Sequence, residues 1–378
     1  MASIAVAFCW PDVGAAEAHL RSGADTLVYA DTDNVLVVSP QVSARIGLDE
    51  DGGEIGVRAT VDVVTAASVD VVSSASTRFS EVRTEIELDA SKGFGDHLPG
   101  IGYRLSIEPD YVSHGAFGTW QSRLGSSDTT LALSYGLTLD TIGRSGTSFD
   151  VWSESLAAHA ATVSLTQVLS TRWLVRGTYA LGVRDGYMEK PYRHVALFDR
   201  AGIERARADG TRLTLETYDA YRLGARPEES IPDSRITQAA GVRVMGWLPA
   251  LRGSLRVDVQ GYRDSWSLMA GAIEPVLALE LSSHVELDVQ ARLYHQGRAS
   301  FYRRTYVVAN EEQIPRYRTA DRDLSSYTSG TGGARLVLRF ETLEAYAEAN
   351  VMYTRYHEFL FLDGLLSLVG QVGVRWAP

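Results

Sequence analysis

Apolar and polar residues alternate along most of this chain, and the polar side of the alternation is densely charged. In residues 79–90, FSEVRTEIELDA, one set of alternate positions is apolar or small: Val82, Thr84, Ile86 and Leu88. The other set is charged: Glu81, Arg83, Glu85, Glu87 and Asp89. Successive side chains of a β-strand point to opposite faces, so the pattern predicts a strand with one apolar and one charged face. A dry core would not accept the charged face, because burying unpaired charge is costly.

The same division recurs at residues 55–63, 101–108 and 285–293. The alternating segments run for about 10 to 14 residues, whereas strands of globular proteins most often have about 5 or 6. Strands that face lipid on one side and water on the other, at this length, build transmembrane barrels. No window of the sequence approaches the roughly 20 apolar residues of a spanning helix. The sequence therefore predicts an all-β fold, a transmembrane antiparallel up-and-down β-barrel.

The connections between these segments differ in length. Short turns are predicted at 49–53, 93–100, 125–128, 169–171, 248–250, 282–284 and 341–342. Two much longer loops, 185–234 and 298–332, fall between them. Transmembrane barrels have short periplasmic turns, long extracellular loops and an even number of strands. Counting from strands at 24–31 and 34–48 predicts about sixteen strands, with fourteen as the alternative, and a lumen that the long loops constrict or plug.

The N-terminal residues differ from the rest of the chain. Residues 2–10, ASIAVAFCW, form an apolar run, and AAEA at 15–18 supplies the small residues of a cleavage site. We therefore predict a signal peptide at 1–18 and a single outer-membrane barrel over 19–378. A basic first region is missing, so a truncated start and a buried N-terminal segment remain as alternatives.

Composition and motifs exclude several classes of function. The net charge of −11 argues against nucleic acid as a partner, because binding phosphates requires clustered Lys and Arg. The eight histidines are scattered and neither GxSxG nor HExxH occurs, so we do not predict an enzyme. GTGG at 330–333 has no following lysine and is interpreted as a loop that does not bind phosphate. A soluble sandwich or solenoid is the alternative fold, but its core would have to contain the charged faces.

Four acidic residues fall near the outer ends of three successive predicted strands, on their polar faces: Asp62, Glu81, Glu108 and Asp110. They are expected to converge at the extracellular mouth of the barrel, with Arg78 and Arg83 among them. Three interpretations stay open: a salt-bridge network that makes the barrel rigid, a calcium site built from carboxylate oxygens, and recognition of a substrate. Apart from this calcium interpretation, no metal or cofactor is predicted.

Further arginines are expected to reach this acidic mouth. Leaving a buried carboxylate without a partner costs several kcal/mol, so positive partners must come from other segments. The candidates are Arg193 in PYRHV, Arg263 in GYRDSW and Arg292. Asp264, next to Arg263, is assigned to the same network of charges around the lumen and mouth.

Seven fragments occur in the order in which one family of bacterial outer-membrane barrels has them. They are DVVTAAS...SAS (62–76), FSEVRTE (79–85), EPDYVSH (108–114), PYRHV (191–195), IPDSR (231–235), GYRDSW (261–266) and RLYHQGRASFY (292–302). Through them the chain resembles the family catalogued as domain of unknown function thirty-five-seventy, over about residues 26–376. Residues 200–228 look like extra sequence inside a family loop. The resemblance implies a barrel in the bacterial cell outer membrane and carries no established activity.

Two functions fit this reading. The first is a porin-like transport channel for small hydrophilic solutes, with a lumen gated by the long loops. The alternative is a structural or scaffolding barrel of an envelope assembly, which holds a protein partner in its lumen or on its loops. Outer-membrane lipid is a partner in either case, and the mixed charge of the predicted lumen suits both.

Overall fold

In the computed structural model, residues 20–48, 53–66, 79–125 and 128–378 are described, apart from the side chains of residues 66, 79 and 80. The predicted signal peptide, Arg78 and the second half of the 62–76 stretch lie outside the described residues. No helix in the described part of the chain is long and apolar enough to cross a membrane.

Sixteen antiparallel strands close into a barrel. They are β1 (Leu20–Asp31), β2 (Val35–Gly47), β3 (Glu54–Ala66), β4 (Phe79–Ser91), β5 (His97–Glu108), β6 (Tyr111–Leu124), β7 (Thr129–Ile142), β8 (Glu154–Ser170), β9 (Trp173–Gly186), β11 (Ser234–Leu248), β12 (Gly253–Asp264), β13 (Met269–Glu280), β14 (Val285–Gln296), β16 (Tyr327–Arg339), β17 (Leu343–Tyr356) and β18 (Gly364–Trp376). Outside the barrel, the short strands β10 (Leu197–Phe198) and β15 (Tyr306–Val307) pair in parallel. Within the described residues, the helices are α1 (Arg200–Ala208) and three 3₁₀ turns, Tyr218–Ala220, Pro249–Leu251 and Arg322–Leu324.

Pairing of the first and last strands closes the barrel. Ala24 in β1 lies opposite Val42 in β2 on one side and opposite Val374 in β18 on the other. Each strand of the ring therefore has two neighbours, and the ring has no open sheet edge. The sixteen-stranded barrel predicted from the alternation is confirmed. The first two strands, predicted at 24–31 and 34–48, extend instead over Leu20–Asp31 and Val35–Gly47.

The two faces of the strands match the two environments of a membrane barrel. On β4, Val82, Ile86 and Leu88 are 47%, 44% and 50% exposed on the outward face. Such a surface would cause a soluble protein to associate, whereas on a barrel it meets lipid. The inward face carries ion pairs between neighbouring strands, such as Arg58 with Glu87 at 3.2 Å and Arg243 with Asp258 at 2.6 Å.

The two longest connections leave the barrel at the same end, which we call the long-loop end. They span 187–233 and 297–326, close to the predicted loops. The end of the second loop was predicted incorrectly, because GTGG at 330–333 belongs to β16. Gly333 lies opposite Asn350 of β17, and a Cβ at this position would collide with the Asn350 side chain. Gly333 therefore leaves room for the Asn350 side chain within the sheet, a role that the loop interpretation missed.

Candidate functional site

The acidic residues predicted at the mouth divide into two groups. Asp62 and Arg83 lie opposite each other on β3 and β4. They form an ion pair in which the Arg83 Nε donates to the Asp62 Oδ2 at 2.6 Å. Asp62 is buried, so this contact satisfies a carboxylate that would otherwise destabilise the barrel.

The other three acids form a compact cluster. Carboxylate oxygens of Glu81, Glu108 and Asp110 all lie within 4.8 Å of one another. The hydroxyl of Tyr192, from the long connection, donates to the Asp110 Oδ2 at 2.5 Å. The pKa of Tyr192 is raised to about 12, mainly by burial and secondly by this hydrogen bond. The sequence therefore identified four acids that lie close together, but Asp62 belongs to an ion pair outside the cluster.

The three arginines expected at this cluster lie elsewhere. Arg193 is buried in the loops, where it pairs with Glu229 and Asp321. Arg292 faces the lumen and approaches Glu274 at 3.6 Å. Arg263 is on the outward face of β12, where its guanidinium donates to Gln238 at 2.8 Å. These expected partners were wrong. The acidic residues lie close together because their strands follow one another in the chain, whereas the three arginines lie on distant strands or in a loop.

Asp264 organises the connection between β12 and β13. Its carboxylate accepts hydrogen bonds from the Arg235 side chain and from the backbone N–H groups of Trp266 and Leu268. These bonds close the turn, and the Arg235 guanidinium lies 4.3 Å from the centre of the Trp266 ring. Asp264 is therefore a structural residue of a turn at the long-loop end.

Removing one charge from the acidic cluster should stabilise the barrel. In the presence of a chelator, Glu81→Gln is expected to raise the midpoint of thermal unfolding by about 2 °C, because it removes repulsion between neighbouring carboxylates. Glu85→Gln, on the same face of β4, is the matched control and should leave the midpoint unchanged. A lower midpoint for Glu81→Gln would contradict this account. The calcium interpretation predicts in addition that Ca²⁺ stabilises the wild-type protein more than this variant.

The loops at the long-loop end form a folded unit that we call the cap, comprising residues 187–233, 265–268, 297–326 and 357–363. It contains apolar clusters of its own. One is built around Trp266, Leu268 and Tyr302, and another around Phe198, Tyr218 and Leu360. Phe198 is fully buried. Packing of this kind gives the cap a defined structure, as expected for loops too long to be simple connections.

A buried ion-pair network holds the two long connections together. The Arg193 guanidinium lies 2.6 Å from the Asp321 Oδ2 and 3.3 Å from the Glu229 Oε1. Thr319 donates its hydroxyl hydrogen to Glu229. Burial acts to raise the pKa of Asp321, but Arg193 and Lys190 outweigh it and hold that pKa well below its usual range. The network therefore joins 187–233 to 297–326 through charges that are shielded from water.

The connection 187–233 reaches nearly opposite sides of the strand ring. On one side Tyr192 bonds Asp110, between β5 and β6. On the other side it contacts the connection between β17 and β18. Arg212 pairs there with Asp363, and Tyr218 packs edge to face on Phe361 with the ring centres 5.1 Å apart. A third attachment joins Arg322 of 297–326 to Asp33, between β1 and β2, at 2.7 Å. The cap therefore crosses the mouth of the barrel.

Below the cap, the lumen is lined by polar and charged side chains. The guanidinium of Arg256 approaches both Asp258 and Glu274, at 3.0 and 3.1 Å. A cavity of about 210 Å³ lies beside Glu274 and Arg292. A larger cavity of about 670 Å³ opens on the cap itself, beside Phe301, Arg303 and Tyr317. The molecule thus offers polar space within the barrel and a separate recess on the cap.

The cap was only partly predictable. The sequence predicted its two long connections and a lumen that they constrict or plug. It did not predict the buried network of Arg193, Glu229 and Asp321. One available signal is the apolar and aromatic content of residues 195–198 and 301–308, VALF and FYRRTYVV. Runs of this kind within a predicted loop indicate that the loop has a core of its own.

Comparison with known proteins supports the architecture. A family model described as "Protein of unknown function (DUF3570)" matches residues 65–367, and no curated protein matches the chain. Similar solved structures include CdiB from Acinetobacter baumannii, with a TM-score of 0.50 and 8% identity over 94% of this chain and 60% of that chain. They also include the siderophore receptor PirA from Pseudomonas aeruginosa, with a TM-score of 0.45 and 8% identity over 95% of this chain and 62% of that one.

A third similar structure is a loop-deletion mutant of OmpT, an outer membrane protein of Vibrio cholerae. Its TM-score is 0.44 and its identity 8%, over 95% of this chain and 98% of that one. The chain spans less than two thirds of CdiB and of PirA. At such low identity the likeness concerns the fold alone, which is that of a bacterial outer-membrane β-barrel.

Proposed function

Because this chain belongs to DUF3570, a family of unknown function, we propose from its geometry that it is a gated outer-membrane channel for small hydrophilic solutes, closed in the conformation described. The observation that carries the proposal is the cap, which has its own core and crosses the mouth of a barrel with a charged lumen. In this orientation the long-loop end is extracellular and the short turns are periplasmic.

Barrel size and lining agree with a channel. A barrel of about eight strands is filled by side chains, whereas one of about sixteen leaves room for water unless loops fold inward. Here the lumen presents guanidinium and carboxylate groups such as Arg256 and Glu274, which are compatible with water and with polar solutes. The mixed charge favours hydrophilic solutes over apolar ones, and the recess on the cap gives such a solute a place to dock.

One part of the cap is suited to move. Residues 198–222, which we call the gate segment, contain α1 and contact the β17–β18 side of the mouth through Arg212 and Tyr218. The ion pair between Arg212 and Asp363 is exposed to solvent, and an exposed ion pair contributes little to the stability of the contact. The buried Arg193 network lies outside the gate segment and anchors the remainder of the cap. Opening would therefore separate the gate segment from residues 357–363 and leave the anchored part in place.

The backbone shows where the gate segment can be cut out of the chain. The N–H of Leu223 donates to the carbonyl of Leu197 at 2.8 Å. A turn with two residues between Leu197 and Leu223 would be closed by the same hydrogen bond. Replacing 198–222 by Asn-Gly should thus join the two ends in their present geometry. In planar bilayers this variant is expected to stay open most of the time, whereas the wild-type protein shows infrequent stepwise openings.

The control is Arg207→Gln, which alters an exposed residue of α1 and should behave as wild type. If the Asn-Gly variant inserts as a folded barrel but shows no conductance, the channel proposal is wrong. That result, together with a protein that copurifies after gentle extraction, would favour the scaffolding alternative.

A further inference from the structure

The outward face of the barrel is apolar along most of its height, with an exception near the long-loop end. Among arginines in the described strands, only Arg263 and Arg355 follow the outward alternation, and the others face the lumen or the strand ends. Each is the second-last residue of its strand, β12 or β17. Arginine on a lipid-facing wall destabilises a barrel at the bilayer midplane and costs little near the interface. Their position therefore places both guanidinium groups at the depth of lipid headgroups.

Arg355 belongs to a cluster of donors that we call the rim patch: His295, Thr328, Arg355 and His357. In the strand register, Thr328 lies between His295 on one side and Arg355 on the other. The Thr328 hydroxyl lies 2.9 Å from the His295 Nδ1 and 2.9 Å from the His357 Nε2. The two imidazole rings are 6.1 Å apart, and His295, Arg355 and His357 are exposed.

The rim patch has no carboxylate to balance it. No acidic side chain in the described ranges lies within ion-pair distance of Arg355. The two acids of the neighbouring connection are engaged elsewhere, since Glu358 bonds Arg298 at 2.9 Å and Asp363 bonds Arg212. The patch therefore presents one permanent positive charge and two imidazoles whose ring N–H groups can donate hydrogen bonds to an anion.

The wall next to the rim patch is apolar on the side toward the short turns. Leu293 is two residues from His295 on β14, and Tyr353 is two residues from Arg355 on β17. Leu366 lies on the adjoining strand, and all three side chains are about half exposed. A ligand that fits the whole surface must combine an anionic group at the rim with hydrocarbon beneath it. Inorganic phosphate or a soluble sugar phosphate lacks the second part.

We propose that the rim patch binds the phosphate group of an anionic lipid, whose acyl chains lie along Leu293, Tyr353 and Leu366. The guanidinium of Arg355 and the imidazoles of His295 and His357 donate to the phosphate oxygens, an arrangement that charge-assisted hydrogen bonds favour. This inference rests on the proposed position of the barrel in a membrane. It is independent of whether the lumen conducts.

The test is a titration of the purified full-length barrel in detergent, followed by native mass spectrometry. The probes are phosphatidylglycerol, phosphatidylcholine of the same acyl chains, and glycerol phosphate. The wild-type protein is expected to bind phosphatidylglycerol about tenfold more tightly than phosphatidylcholine, and glycerol phosphate not measurably. The variant His295→Gln/Arg355→Gln/His357→Gln should lose this preference.

The matched control is His114→Gln/His159→Gln/Arg207→Gln, which removes two outward imidazoles and one exposed arginine of α1, none of which belongs to the rim patch. It should keep the wild-type preference, and unchanged mobility of the folded barrel on a gel confirms that both variants fold. Equal binding of the two lipids by wild type, or an undiminished preference in the rim-patch variant, would overturn the proposal. Binding of glycerol phosphate as tight as that of the lipid would assign the patch to a soluble anion and overturn it as well. A silent planar bilayer would count against the channel and leave this result intact.

Discussion

Replacing Arg193 by leucine is expected to unfold the cap while the sixteen-stranded barrel stays closed. Arg193 is 5% exposed and pairs with Glu229 and Asp321, which come from the two long connections. Leucine fills similar space but leaves these carboxylates buried without a cation. Breaking a buried pair in this way costs about 3–5 kcal/mol, which is large compared with the stability expected of a small loop unit. Limited proteolysis of the folded barrel should then cut within 187–233 and 297–326, where the wild-type protein resists.

A second arginine of the cap provides the control for this substitution. Arg298 also pairs with a carboxylate, that of Glu358, but these side chains are 44% and 36% exposed. Because exposed pairs contribute little, Arg298→Leu should keep the wild-type resistance to protease. If the Arg193 variant resisted cleavage as well as the Arg298 variant does, the buried network would not be what holds the cap together.

The barrel could be predicted from the sequence because its signal is local and repeated. Each strand carries its own alternation: on β4, Val82, Ile86 and Leu88 share one face, and Arg83 and Glu85 share the other. The apolar face of every strand meets lipid and the polar face meets water. Tight turns then fix the register of neighbouring strands. For the same reason Asp62, Glu81, Glu108 and Asp110 could be placed near one another, since they lie on strands that follow in sequence.

The cap could not be predicted in the same detail, because its contacts join residues far apart in the chain. Glu229 and Asp321, the partners of Arg193, lie in two different connections with four barrel strands between them. The alternation of apolar and polar residues in the strands does not predict which charged residues of the loops are buried together. The short apolar runs in these loops indicate a core, but they do not specify its partners.

The outward position of Arg263 follows from the alternation of β12. Val257 and Val259 mark the outward face of β12, and Arg263 continues the same alternation by two further steps. Its outward position therefore follows from the sequence alternation, although buried acids at the mouth also require cationic partners. Asp264, one residue later, faces the opposite side and closes a turn.

The central claim is that the cap gates the lumen by moving the gate segment away from residues 357–363. We expect a reversible crosslink across this contact to lock the channel closed. The variant Arg212→Cys/Asp363→Cys, made with Cys9→Ser so that no other thiol is present, replaces the exposed ion pair by two thiols. A bifunctional maleimide with an internal disulfide can join them, and dithiothreitol then cuts the linker.

Planar-bilayer conductance of this variant is the most direct measurement. The account predicts stepwise openings before crosslinking, their loss in the crosslinked protein, and their return after dithiothreitol is added. The Cys9→Ser protein without the two new cysteines should open equally often before and after the reagent. Openings that continue unchanged in the fully crosslinked protein would show that the gate segment does not control the lumen, and would contradict the account.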